Sequence, residues 1–504
     1  MVAGLGALAL AGLVGREAVA SPRAGELLFD LALRSPSFGG GAVGDLDGDG
    51  DPEILFGTYY RDERVLALHH DGSTLWELPS GGGPVDNSVT VADLDGDARP
   101  EVMWGNSETN EFHVAGADGR DRWTKVIGEV LDAPEAVGDV TGDDALEIVL
   151  ASCGPRSGEP GGLRAFDGTS GRLRWTADVG GCYQSAPLLF DQDGDGRLDV
   201  VVSTWFDDKV RGFAGLDGRM RWETTIGGWT YHAGAFGDLS GDGVPDVTLG
   251  DYSGMLWALD GRDGAVLWSR KLEGVTYVFG PTAMGDLDDN GALEVVVAAD
   301  NLQVFDALGT RQLRIDLPGY APRGAVLVDA DDDGLPDILT ATDGNLGDQL
   351  PAINVHSGRD GRLLHSRTFP QPAPFNFHPT VADLDGDGAN DVFAVYGRGQ
   401  SDTPEANWGR AVAFTLGGRG PGWPTYGHDH HHSGNYELPA GAAINLPNTP
   451  EPTRVPSTVP TRSPTSAPSP RATPRPSLEP TVTAGAQPAG RAYLPVVDGG
   501  ERGG

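Results

Sequence analysis

Cysteine is nearly missing from this sequence: Cys153 and Cys182 are the only two in 504 residues. That excludes a small disulfide-framework fold and the paired Cys-x-x-Cys spacings of zinc and redox sites, and it leaves either one disulfide or a buried thiol pair. Positive charge is scarce as well. Thirty-six Lys and Arg stand against 73 Asp and Glu, a formal charge of -37, which argues against nucleic acid as a ligand. Beyond the first 14 positions no stretch reaches 18 consecutive apolar residues, so no transmembrane helix is expected.

What the chain has in abundance is one acidic motif. It is first met as Asp45-Leu46-Asp47-Gly48-Asp49-Gly50-Asp51-Pro52-Glu53, and variants begin at Asp93, Asp139, Asp191, Asp238, Asp286, Asp329 and Asp383. The intervals are 48, 46, 52, 47, 48, 43 and 54 residues, the period of propeller blades or solenoid turns. Acids or polar substitutes at positions 1, 3, 5 and 9 let oxygens converge on one point, and the carbonyl of position 7 can add another. Such a hard oxygen cage suits Ca²⁺, which takes six to eight oxygens.

The motif predicts one ligand set per copy. The first four are Asp45, Asp47, Asp49, Asp51 and Glu53; Asp93, Asp95, Asp97, Arg99 and Glu101; Asp139, Thr141, Asp143, Ala145 and Glu147; Asp191, Asp193, Asp195, Arg197 and Asp199. The later four are Asp238, Ser240, Asp242, Val244 and Asp246; Asp286, Asp288, Asn290, Ala292 and Glu294; Asp329, Asp331, Asp333, Leu335 and Asp337; Asp383, Asp385, Asp387, Ala389 and Asp391. Positions 1, 3, 5 and 9 hold 29 of the 73 acids, and eight divalent ions would move the charge from -37 to -21. Position 6 needs a sharp backbone turn, and Gly50, Gly196, Gly243, Gly291, Gly334 and Gly388 supply it. Ala98 and Asp144 stand there in the second and third copies, so up to eight calcium sites are expected, with those two weakest. A helical calcium loop places a bidentate Glu at position 12; here the acid comes at position 9 and β-formers such as Val295-Val296-Val297 follow, which indicates strand-loop-strand sites.

Around each motif the pattern supplies four short strands, the fourth carrying in five copies an aromatic four residues after a Gly, as in Gly72 to Trp76 and Gly264 to Trp268; copies six and seven keep the Gly but end on Leu313 and His365, and the eighth loses that register. The expected fold is all-β: an eight-bladed β-propeller of four-stranded antiparallel blades, with the calcium loops between first and second strands. Gly25 to Phe29 has the register of a fourth strand without its own blade, so the N-terminal strand is expected to close the last blade. Trp423 offers the rival closure from the C-terminal side.

The repeats resemble the FG-GAP or VCBS propellers known from the integrin α-subunit head and from secreted bacterial proteins, with Phe38-Gly39 and Phe279-Gly280 matching the family name. Outer-strand segments such as Leu256-Trp257-Ala258-Leu259-Asp260 also resemble the quinoprotein propeller repeat. The resemblance implies calcium loops on one face and ligands on the other. Connections after second and fourth strands would then bind, and they carry Tyr59, Tyr60, Tyr183, Trp205, Phe206, Trp229, Tyr231, Tyr277, Phe279, Tyr320, Phe375 and Phe377, which suit a glycan or protein partner or else plug the channel. The expected function is a secreted or surface-tethered calcium-binding module for binding or adhesion. The alternative is an enzyme, a polysaccharide lyase with a base such as Lys209, Arg211 or His232, or a quinoprotein-type dehydrogenase, whose adjacent cysteine pair is lacking. His232 and His378 read as packing residues, and so does the cluster His428 to His432 beside Trp423-Pro424.

The expected organisation is a signal peptide at 1–20, cut after Ala18-Val19-Ala20, with its positive end lost to a start placed too far downstream. The propeller follows at 25–436, then a Pro/Thr/Ser-rich disordered stalk at 437–490 and a short terminal tag at 491–504.

Overall fold

The computed structural model describes residues 24–154, 161–177, 180–344 and 349–419. The expected leader, Trp423, the histidine cluster, the stalk and the tag lie outside them. The chain divides into two units, Met1–Asn445 with Asp498–Gly504 and Leu446–Val497, and every described residue belongs to the first.

Eight four-stranded sheets account for the described residues, each with its strands hydrogen-bonded in order of sequence except the last. The third blade shows the design: Ala136–Gly138, Glu147–Ala151, Leu163–Asp167 and Leu173–Ala177 pair antiparallel, with Val149 opposite both Ala136 and Ala165, and Ala165 opposite Trp175. The first two strands are buried on both faces because neighbouring blades pack against each side, and they read as apolar runs. Fourth strands such as Asp121–Val126 alternate between exposed and half-buried positions, the period-two signature of an outer strand. The hydrophobic core therefore sits between blades: Val149, Leu163 and Ala165 of the third pack with Leu189, Val200 and Phe213 of the fourth.

Closure comes from the N-terminal strand. Leu27–Leu33 pairs antiparallel with Trp408–Thr415, Leu31 opposite Ala411 and Leu33 opposite Gly409, and the Arg410 guanidinium meets Asp30 at 2.7 Å. Without this strand the edge of Trp408–Thr415 would present unpaired backbone groups.

The glycine before the fourth strand has a purpose that its spacing to the aromatic conceals, because it seats the ring of the preceding blade, except at Gly361, which meets Ile315 and Leu313. Gly171 lies against Trp123, Gly218 against Trp175 and Gly264 against Trp222, all at positive φ. The indole N–H of Trp76, Trp123 and Trp175 donates to the carbonyl of Ala117, Gly168 and Gly215 in the next blade, at 2.9, 2.8 and 2.6 Å. A Cβ on Gly264 would stand 2.3 Å from the Trp222 ring, at φ +73°. Gly264→Ala is therefore expected to cost about 2 kcal/mol or more, from left-handed backbone strain and overpacking together. Urea unfolding measures it, and a midpoint equal to that of the parent would contradict this packing role.

Candidate metal centres and the opposite face

Each acidic motif forms the connection between the first and second strands of its blade. In the first, Asp45 accepts from the N–H of Gly48 and Gly50 at 2.7 and 3.2 Å, Asp47 from Asp49 at 3.1 Å, and Asp49 from Asp51 at 2.9 Å. Glu53 closes the loop by accepting from the Leu46 N–H at 2.8 Å. The position 1 carboxylate takes the position 6 N–H in every copy, at 2.8 to 3.2 Å. Position 5 likewise takes the N–H of position 7 in all eight, namely Asp51, Arg99, Ala145, Arg197, Val244, Ala292, Leu335 and Ala389. Both neutral position 3 residues donate their main-chain N–H to the position 9 acid, Thr141 to Glu147 at 3.2 Å and Ser240 to Asp246 at 2.7 Å, and the Thr141 hydroxyl adds a bond to Glu147 at 3.1 Å.

Ala98 and Asp144 hold φ of +66° and +65°, the left-handed conformation that position 6 gives to glycine elsewhere. Position 4 is left-handed too, with Gly48 at +82° and with Asp289 and Asp332 at +59° and +61°. This second demand on the backbone goes beyond the one expected at position 6, and its trace in the sequence is the glycine that stands at position 4 in six of the eight copies.

Position 9 opens the second strand, paired with the last residue of the first, as Glu53 is with Gly44. That register buries Glu53, Glu101, Glu147, Asp199, Asp246, Glu294, Asp337 and Asp391, all at most 4% exposed. Burial pushes the carboxyls of Glu101, Glu147, Glu294, Asp337 and Asp391 up to about 7 and that of Asp246 up to about 6, against the backbone N–H that each accepts. Oxygens of Asp329, Asp383, Asp387 and Asp391 are buried with no hydrogen-bond partner. Carboxylate oxygens of Asp45, Asp47 and Asp49 lie within 4.8 Å of one another in the first loop; the same holds for Asp93, Asp95 and Glu101, for Asp139, Asp143 and Glu147, and for Asp191, Asp193 and Asp199, three loops that an arginine also enters. Converging, partly unpartnered carboxylates around a buried acid are the donor set of a hard divalent cation. Arginines from three fourth strands, Arg122, Arg174 and Arg221, also reach these loops, and the motif alone gives no hint of them.

On the side opposite the acid loops, the structure joins Cys153 to Cys182. Cys153 bridges to Val130 and Cys182 to Trp205, and the cystine packs against Trp205 and Tyr231. From Trp205 a chain of rings runs on: Trp205 to Phe206 at 5.0 Å, Phe206 to Trp229 at 5.0 Å, Trp205 to Tyr231 at 4.4 Å and Tyr231 to Phe279 at 4.4 Å. Phe206 and Trp229 are each 41% exposed, while Tyr183, Phe375 and Phe377 are fully buried and serve packing alone. Phe206 has a φ of +74°, a conformation that costs a bulky residue about 1 to 3 kcal/mol. Two residues on, Asp208 holds a buried carboxylate oxygen without a partner.

The groups considered as bases are engaged. Lys209 and Arg211 both pair with Glu223, the latter at 2.8 Å. His232 lies 2.8 Å from the Arg323 guanidinium, and burial holds its imidazole well below the ordinary range. His378 is 1% exposed, with Nδ1 3.1 Å from the Pro379 carbonyl.

Two families match parts of the sequence: the FG-GAP-like repeat at residues 45–104 and 329–394, and the outer membrane protein assembly factor BamB at 148–305. No curated protein matches the chain. Among solved structures it is similar to the V. cholerae biofilm matrix protein Bap1, with TM-score 0.59 and 15% identity over 78% of this chain and 91% of that one. BamB from Moraxella catarrhalis gives 0.50 and 14%, over 76% and 98%, and Saccharomyces cerevisiae Sqt1 gives 0.56 and 10%, over 78% and 100%. At these identities the likeness is one of fold. Among the described residues no helix is long and apolar enough to cross a membrane.

Proposed function

With the chain an eight-bladed β-propeller carrying FG-GAP-like repeats, we propose that it is an extracellular, calcium-stiffened binding and adhesion module whose ligand is a glycan. The observation that carries this reading is the division of labour between the two faces. One face holds acid loops, each with a buried position 9 carboxylate that needs a cation; the other presents a ring platform ending in exposed Phe206 and Trp229. Positions 1, 3, 5 and 9 would hold Ca²⁺, which supplies positive charge to the loops and fixes the entry to each second strand. Aromatic faces beside carboxylates suit the apolar faces and hydroxyls of sugar rings. The similarity in fold to a biofilm matrix protein agrees with a role outside the cell and adds nothing about the ligand.

The strain at Phe206 provides a test that separates binding from folding. Phe206→Gly relieves the left-handed conformation while removing the ring, so it is expected to unfold at the same or a higher urea concentration and to lose most glycan binding, about tenfold or more. A glycan array probed with the calcium-loaded protein, its Phe206→Gly form and Trp229→Ala reads this directly. Equal binding by all three, or a silent array, would overturn the assignment of the platform.

A further inference from the structure

Three of the eight acid loops carry a cation of their own. Arg174 Nη2 lies 2.9 Å from Asp143, 3.1 Å from the buried Glu147 and 3.1 Å from Asp167. In the next blade Arg221 pairs with Asp193 and stands 3.0 Å from the buried Asp199. One blade earlier, Arg122 is 3.2 Å from the buried Glu101 and 3.5 Å from Asp95. Each guanidinium thus spans the position 9 acid and a position 3 or 5 acid, between which an ion would sit.

The three arginines hold one place in the fold, the fourth-strand residue just before Trp123, Trp175 or Trp222. Strand register identifies the same place in the other blades, where Trp76, Trp268, Leu313, His365 and Phe29 occupy the aromatic's position. The residues before them are Leu75, Leu267, Gln312, Leu364 and Leu28, none of them charged. Among the described residues no Lys or Arg pairs with the position 9 acids of those five blades; Glu53 has the His69 imidazole at 3.0 Å. Arg262 and Arg362 do approach the fifth and seventh loops, but each touches a single outer acid, Asp242 at 3.1 Å and Asp331 at 3.6 Å, from side chains 51% and 62% exposed.

We infer that Arg122, Arg174 and Arg221 are the resident cations of the second, third and fourth loops, so that the ring takes calcium in the other five. A unit charge about 4 Å from a divalent ion lowers its affinity roughly thirtyfold even at the dielectric of water, and the guanidinium also occupies two of the required oxygens. The weakness expected of the second and third loops from Ala98 and Asp144 thus gains a separate cause, one that extends to the fourth loop despite its Gly196. This inference rests on the proposal that the loops bind calcium.

Native mass spectrometry and equilibrium dialysis of the whole chain in about 1 mM Ca²⁺ test it. The parent is expected to bind five ions, Arg174→Leu six, and the triple change R122L/R174L/R221L eight. Leucine is what this place holds in four other blades, and the converse change Leu267→Arg, which leaves the three arginines untouched, is expected to reduce five ions to four. Eight ions of similar affinity on the parent, or an unchanged count in both Arg174→Leu and Leu267→Arg, would overturn the arginine assignment while leaving calcium in place. No calcium on any form would instead remove the calcium proposal, and this inference with it.

Discussion

Stripping calcium with a chelator is expected to lower the melting midpoint by about 15 °C relative to the protein in millimolar Ca²⁺. An ion bound only by the native loop contributes about 2.7 kcal/mol at a concentration a hundredfold above its Kd, so five loops contribute roughly 13 kcal/mol. Unfolding a ring of nearly 400 residues carries an entropy of roughly 0.8 kcal/mol per kelvin, which converts that stabilisation into the stated shift. The sign is fixed by charge. Without the metal, buried acids such as Glu294 and Asp391 must stay protonated or ionise beside other carboxylates, and both options disfavour the folded loop. Differential scanning calorimetry with chelator, and with calcium restored, decides the matter; a midpoint that does not move would contradict a structural role for the metal.

The second large effect is expected from the cystine. Removing it through Cys182→Ala frees a loop closed across 29 positions, for which chain entropy predicts a loss of roughly 3.5 kcal/mol. Because Cys182 bridges to Trp205, and Trp205 packs on Phe206 and Tyr231, the change is also expected to weaken glycan binding through the platform without touching it directly. Mass spectrometry of the unreduced protein tests the premise. Both thiols open to alkylation after unfolding would refute the bond, and a Cys182→Ala protein as stable as its parent would refute its contribution.

Much of the fold was legible because the eight motifs fix where each first strand ends and each second begins, and because Leu27 to Leu33 lacks a blade of its own. Calcium ligation itself was read from the spacing of acids, and it stays a proposal that the loop geometry supports. Other features escaped because they depend on contacts between segments far apart in sequence. The Gly264 and Trp222 contact crosses from one blade to the next, so a pattern within one repeat shows both residues and not their touch. The arginines lie 27 to 31 positions from the acids of positions 3 and 5 that they meet, so the sequence shows their shared place before Trp123, Trp175 and Trp222 and not their contact with the loops. Phe206 was visible as an aromatic; its backbone strain was not, since a non-glycine residue gives no warning of a positive φ.

Ring closure by Leu27–Leu33 also sets a timetable. A ribosome making roughly 5 to 20 residues per second needs on the order of 20 to 80 seconds to go from that strand to its partner, Trp408–Thr415. Through that interval the earlier blades have all their own strands, while Leu27–Leu33 waits, apolar and unpaired. Final assembly is thus a late, long-range event, vulnerable to capture by another nascent chain of the same kind, whose own waiting strand fits the same open edge.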